Sequence, residues 1–148
     1  MNATIEKFGY PGTLIKEYDH WVVLLRPAQV TAGSLVLAAK SDATAYGDLT
    51  PDAFAEQGRV VAEIEDMLRD AVAYEKLNYL MLMMVDPNVH FHVIPRYEGH
   101  RSLAGMSIAD SGWPGPPDLK SAVTLSQASI GAAVQLLSEF LPDDTKPD

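Results

Sequence analysis

Between Asn88 and Arg96 the chain reads Asn-Val-His-Phe-His-Val-Ile-Pro-Arg, and its two histidines, one residue apart, are the part of the sequence best suited to chemistry. Successive side chains of a strand point to opposite faces. Val89, Phe91 and Val93 therefore share one face, and Asn88, His90 and His92 the other. Two imidazoles are held side by side, with an amide at the strand's entry and the Arg96 guanidinium at its exit. Imidazole titrates near neutrality and can act as nucleophile, general base or metal ligand. Three readings are open: a plain polar face on a half-buried strand, two ligands of a metal completed by a third residue, or phosphoryl-transfer machinery. Glu98 is the nearest downstream carboxylate for a metal, but a lone His-x-His pair is a pattern of low specificity.

The elements that must hold this strand can be read on either side of it. Residues 13–18 and 20–25 are rich in β-branched and aromatic side chains and read as strands, interrupted by Arg26-Pro27-Ala28-Gln29; a third strand, 34–38, follows Gly33. At Thr50 the period changes. Thr50 is an N-cap candidate, Pro51 a good first helical residue, and Phe54, Val61, Leu68 and Val72 recur at helical spacing. Glu56, Glu63, Asp66 and Asp70 read as the solvated face of that helix. Strands over 78–85 and 89–94 follow, joined by Asp86-Pro87-Asn88 as a tight turn. Residues 101–119, rich in Gly, Pro, Ser and Asp, read as a long loop. A final helix carries Ile130, Ala133, Val134, Leu137 and Leu141 and stops before Pro142. The order β-β-β-α-β-β-α predicts an α+β fold, an antiparallel five-stranded sheet with two main helices, in one domain over residues 1–148.

Bulk properties narrow the partners. A chain of 148 residues that is 47% hydrophobic and 21% charged has the composition of a globular protein with a core of its own. No run of about 18 apolar residues suggests a membrane span. With no cysteine there are no disulfides or thiolate ligands, in keeping with the cytoplasm as the expected location. The net charge of −9 argues against a long nucleic acid as partner, because backbone binding needs Lys and Arg to neutralise phosphates. With Arg96, His100 and Arg101 clustered behind the histidines, a small anion is the better expectation.

The nine residues from Asn88 to Arg96 resemble the signature of the histidine-triad (HIT) superfamily, His-φ-His-φ-His-φ-φ followed by Pro-Arg, with φ apolar. Asn88 falls on the first histidine, His90 on the second and His92 on the third. Upstream, Gly33-Ser34-Leu35-Val36-Leu37-Ala38-Ala39-Lys40 is similar to that family's Gly-His-x-Leu-Val-φ-Pro-Lys segment, with Ser34 in the place of its histidine. The resemblance implies a nucleotide hydrolase or nucleotidyl transferase, commonly a homodimer. Such an enzyme attacks the α-phosphorus of a nucleoside phosphoanhydride or phosphoramidate, for example a dinucleoside polyphosphate, through a covalent nucleotidyl-histidine. It makes His90 the nucleophile and His92 a donor to a phosphate oxygen, adds Asn88, Ser34, Arg26 and Arg96 as substrate contacts, and requires no metal or cofactor. The alternatives are a nucleotide-binding protein of the same fold without turnover, and a His-x-His metal-binding protein.

Four other features carry weaker expectations. His20 reads as a boundary residue. Trp21 and Trp113 read as core or contact rings before base-covering ones. His100 and Arg101 could reach a phosphate from their loop, and Met81-Leu82-Met83-Met84 reads as adaptable core filling.

Overall fold

The computed structural model describes residues 1–142. Five strands form one antiparallel sheet in the order β1-β2-β4-β6-β5: β1 is Leu14–Glu17, β2 Trp21–Leu25, β4 Leu35–Ala39, β5 Lys76–Leu80 and β6 His90–Arg96. The expected α+β architecture, five antiparallel strands with two main helices, is what the chain adopts. The histidine strand β6 lies between β4 and β5, with His90 opposite Ala38 and His92 opposite Val36.

Both faces of this sheet are apolar, which is why β2 and β4 are buried at every residue. One face carries Trp21, Val23, Leu25, Leu35, Leu37, Val89 and Val93 into the main core. Helices α2 (Pro51–Val72) and α3 (Gln127–Ser138) cover it. The opposite face carries Val22, Leu24, Val36 and Ala38, and Ile5 of a short N-terminal helix, α1 (Ala3–Lys7), closes it. His90 and His92 stand on this second face.

Helix α2 starts as its sequence indicates: the Thr50 hydroxyl accepts from the Ala53 amide and Pro51 occupies the first turn, where no intrahelical N–H is required. Its buried stripe is Ala53, Val60, Ile64, Met67, Leu68 and Val72. Of the four residues expected on that stripe, Leu68 and Val72 are buried, Val61 is half-buried, and Phe54 is turned out against Tyr46. The helix ends at Ala73, in the left-handed region. Its acidic face is not simply solvated. Glu56 accepts from the Asp19 and His20 amides, and Glu63 takes Lys16, Tyr18 and Arg59.

Three local expectations are corrected. Strand β5 stops at Leu80, so residues 81–89 form an extended connection in place of a tight turn at Asp86-Pro87-Asn88. Pro87 has no N–H for a ladder, and the Asn88 amide N–H donates instead to the Thr4 hydroxyl. Residues 101–119 are not all loop. Strands β7 (His100–Leu103) and β8 (Met106–Ala109) form a hairpin closed by Ala104 and Gly105, both at positive φ as a type I′ turn requires. The interruption after Arg26 contains β3 (Ala28–Gln29), which pairs with β9 (Val123–Thr124). Among the described residues no helix is long and apolar enough to cross a membrane.

Candidate functional site

Strand β6 delivers His90 and His92 to the same side of the sheet, where their rings meet edge-on with centroids 5.2 Å apart. Phe8, at the C-terminal end of α1, leans over both, 5.7 Å from the His90 ring and 5.8 Å from the His92 ring. His90 is therefore almost fully buried at 2% exposure, more enclosed than a polar strand face would be. The two imidazoles line a cleft of about 320 Å3 whose other walls are Lys7, Phe8, Arg26, Asp86 and the connection Leu82, Met83, Met84 and Val85.

Hydrogen-bond partners assign the tautomers. His90 Nδ1 lies 2.8 Å from the backbone carbonyl of Asn88. A carbonyl can only accept, so Nδ1 carries the proton and Nε2 keeps a free lone pair. His92 has the reverse arrangement: Arg26 Nε donates to its Nδ1 at 3.4 Å, which leaves the His92 proton on Nε2. Burial, followed by the positive charge of Arg26 and then by His90, drives the His92 pKa down to about 4, so this ring is neutral at physiological pH. Burial also lowers the Arg26 pKa, and a second Arg26 nitrogen donates to the Ala28 carbonyl. The cleft thus holds one imidazole with an unshared pair, one neutral N–H donor, and a guanidinium beside it. Lys7 is spent on Asp86, with which it forms a 2.7 Å ion pair.

Of the six residues singled out from sequence, the fold brings His90, His92 and Arg26 together. Asn88, Ser34 and Arg96 stand outside the cleft's lining. The Asn88 amide is engaged by Thr4 and Asp42. Ser34 is fully buried in a turn, its hydroxyl donating to the Thr31 carbonyl and accepting from the Thr31 amide. Arg96 is buried against Asp110, Asn78 and the Gly115 carbonyl. Trp21 is a core ring whose indole N–H donates to the Ala53 carbonyl. Arg101 caps the end of α2, donating to the Val72 carbonyl and lying over the Tyr97 ring.

Sequence reasoning missed the walls. Met83 and Met84 belong to the cleft and not to the core, and Met84 and Val85 are 85% and 81% exposed. Strand β5 stops at Leu80 and Met83 takes a positive φ, a departure from extended backbone that no residue type in this run announces. Lys7 and Phe8 were missed because a five-residue helix shows no periodicity. Among the described residues no three or more His, Cys, Asp or Glu side chains gather as metal ligands.

This arrangement of sheet and helices is the fold seen in histidine-triad proteins. A histidine triad (HIT) protein of Sinorhizobium meliloti is similar with a TM-score of 0.74 at 22% identity, over 95% of this chain and 96% of that one. A histidine triad protein of Bradyrhizobium japonicum has a TM-score of 0.72 at 17% identity, over 95% and 96%. A hypothetical histidine triad nucleotide-binding protein of Sulfolobus tokodaii has a TM-score of 0.68 at 20% identity, over 93% and 88%. No protein-family model and no curated protein matches the sequence.

Proposed function

We propose that the chain works as one histidine-triad-like domain that hydrolyses or transfers nucleotides, with His90 Nε2 attacking the α-phosphorus of a nucleoside phosphoanhydride or phosphoramidate. The observation that carries this reading is the 2.8 Å bond from His90 Nδ1 to the Asn88 carbonyl, which fixes the tautomer a nucleophile needs. Nε2 forms a bond to phosphorus as the bond to the leaving group breaks, and the leaving group departs with that electron pair. The resulting imidazolium is stabilised by the carbonyl dipole at Nδ1. Water then displaces Nε2 from phosphorus and loses a proton, releasing a nucleoside monophosphate; another acceptor in place of water makes the reaction a transfer. The His92 Nε2–H and the Arg26 charge face the non-bridging phosphate oxygens. The similarity in fold to a hypothetical histidine triad nucleotide-binding protein of Sulfolobus tokodaii is in keeping with this substrate class.

The functional assembly in this reading is a homodimer, for which β5, paired among the described residues only with β6 at the sheet's edge, offers an open strand. Light scattering of the purified protein tests it.

Function is tested by incubating the protein with dinucleoside polyphosphates and nucleoside phosphoramidates while following products and intact mass. A nucleoside monophosphate product and an adduct of one nucleotidyl mass are expected, both absent in His90→Ala and unaffected by chelator. Turnover by His90→Ala at the parental rate would overturn the covalent mechanism. Binding without turnover would make the protein a nucleotide sensor, and activity lost to chelator and restored by zinc would make the histidines metal ligands.

A further inference from the structure

Asn88 takes the place of a histidine in the resembled signature, yet its side chain is turned away from the cleft. Oδ1 accepts from the Thr4 hydroxyl at 2.9 Å and from the Thr4 amide at 3.4 Å. Nδ2 donates to the Asp42 carbonyl at 3.0 Å, and the Asn88 amide N–H donates to the Thr4 hydroxyl at 3.1 Å. Asn88 is 7% exposed and Thr4 1% exposed, so this junction is sealed from water. It joins the entry of β6 to α1, 84 residues earlier in the chain. The same helix carries Lys7 and leads directly into Phe8, which lies against both histidine rings. Lys7 in turn reaches Asp86 across the cleft mouth.

We propose that the Asn88 side chain is a positioning clamp, not a phosphate contact: it holds α1 against β6 so that Phe8 and Lys7 form the wall enclosing His90 and His92. One residue then serves the site twice. Its carbonyl sets the His90 tautomer, and its amide side chain sets the enclosure. A histidine at position 88 could not do the second job in the same way, because the Asn88 oxygen accepts from both the hydroxyl and the amide of Thr4, whereas a neutral imidazole offers a single lone pair beside its one N–H. Burial, to which the Phe8 ring contributes, and then the Arg26 charge keep His92 neutral, so the clamp acts on chemistry through the environment of the histidines. This inference rests on the histidine cleft being the reacting site.

The test uses Thr4→Val, which removes the hydroxyl from α1 without touching the cleft, with Thr4→Ser as the conservative rescue and Phe8→Ala as the variant that removes the wall alone. Amide exchange of residues 3–8 is expected to speed up by about thirtyfold in Thr4→Val, the factor corresponding to the two buried hydrogen bonds that the hydroxyl makes with Asn88, and to return in Thr4→Ser. The His92 imidazole, titrated by NMR, is expected to climb from about 4 toward its ordinary 6.5 in both Thr4→Val and Phe8→Ala. KM for a nucleotide substrate should rise in the same two variants. If exchange and the His92 titration are unchanged in Thr4→Val, the clamp is wrong. These two readouts need no turnover, so they decide the clamp even if the parent protein proves inactive, which would instead sink the proposed function.

Discussion

Arg96 and Asp110 form the most deeply buried ion pair described, with side chains 4% and 1% exposed. Removing one partner should be among the most damaging changes available outside the cleft. Arg96 Nε and Nη2 reach the two carboxylate oxygens at 2.8 and 3.1 Å, Nη1 reaches Asn78, and Nη2 also reaches the Gly115 carbonyl. Asp110 in addition accepts from the Tyr97 and Gly112 amides. Asp110→Ala strands a guanidinium in the interior, a loss of about 3–5 kcal/mol. The two orphaned amides place this site at the upper end of that range. For a chain of this size each kcal/mol moves Tm by roughly 2–4 °C, so a drop of about 10–15 °C is expected. The double substitution Arg96→Met with Asp110→Leu removes both charges but still orphans the Tyr97 and Gly112 amides, so it should be destabilised by less than Asp110→Ala without regaining the parent's stability. Urea denaturation followed by circular dichroism measures all three. An Asp110→Ala protein destabilised by less than about 1 kcal/mol would show that solvent reaches the pair. The double variant also separates two roles for Arg96: if it folds stably but loses nucleotide affinity, Arg96 contacts substrate as the sequence suggested, and if affinity holds, its part is to anchor the loop around Gly112.

His92 gives a pH prediction with a definite sign. Its folded pKa of about 4 lies below the unfolded value near 6.5, so the unfolded chain binds the extra proton between them, and stability should fall as pH drops from 6.5 toward 4. The urea midpoint of His92→Gln should lose that part of the slope; an identical slope in parent and variant would refute burial of a neutral ring. Gly33 sits at φ +88°, and a Cβ there would lie 3.0 Å from Leu68 Cδ2 and 3.4 Å from Pro95 Cγ. Gly33→Ala should therefore cost about 1–3 kcal/mol in thermal or urea unfolding, from backbone strain together with crowding, and a neutral result would mean that the turn relaxes freely.

The architecture was legible wherever local signals and tertiary packing agree. The Thr50 cap, the Pro51 start, the alternation around His90 and the α3 stripe of Ile130, Ala133 and Leu137 all appear in the fold as their types and spacing indicate. Alternation also placed His90 and His92 on a common face. It did not reveal that Ile5 and Phe8 cover that face, because α1 is too short to show a period and is held by long-range bonds. Arg96 pairs with Asp110, not with the nearer Glu98, since the β7–β8 hairpin folds residue 110 back against the end of β6. That hairpin escaped notice because its turn begins with alanine, a residue that rarely accepts positive φ. Ser34 looked like a substrate contact by its place in a motif, whereas its hydroxyl is satisfied inside a turn.

The junction between Thr4 and Asn88 also bears on the order in which the molecule assembles. A five-residue helix is far below the length of about 12–15 residues at which an isolated helix persists in water, so the first residues of the chain have no reason to coil until β6 exists to receive them. Closing an 84-residue loop is entropically costly and favours late formation. Residues 3–7 are therefore expected to settle last, after the sheet has formed. A bulky group attached close to α1 falls on this last step, so its effect would show first in the enclosure of His90 and His92 and not in the sheet.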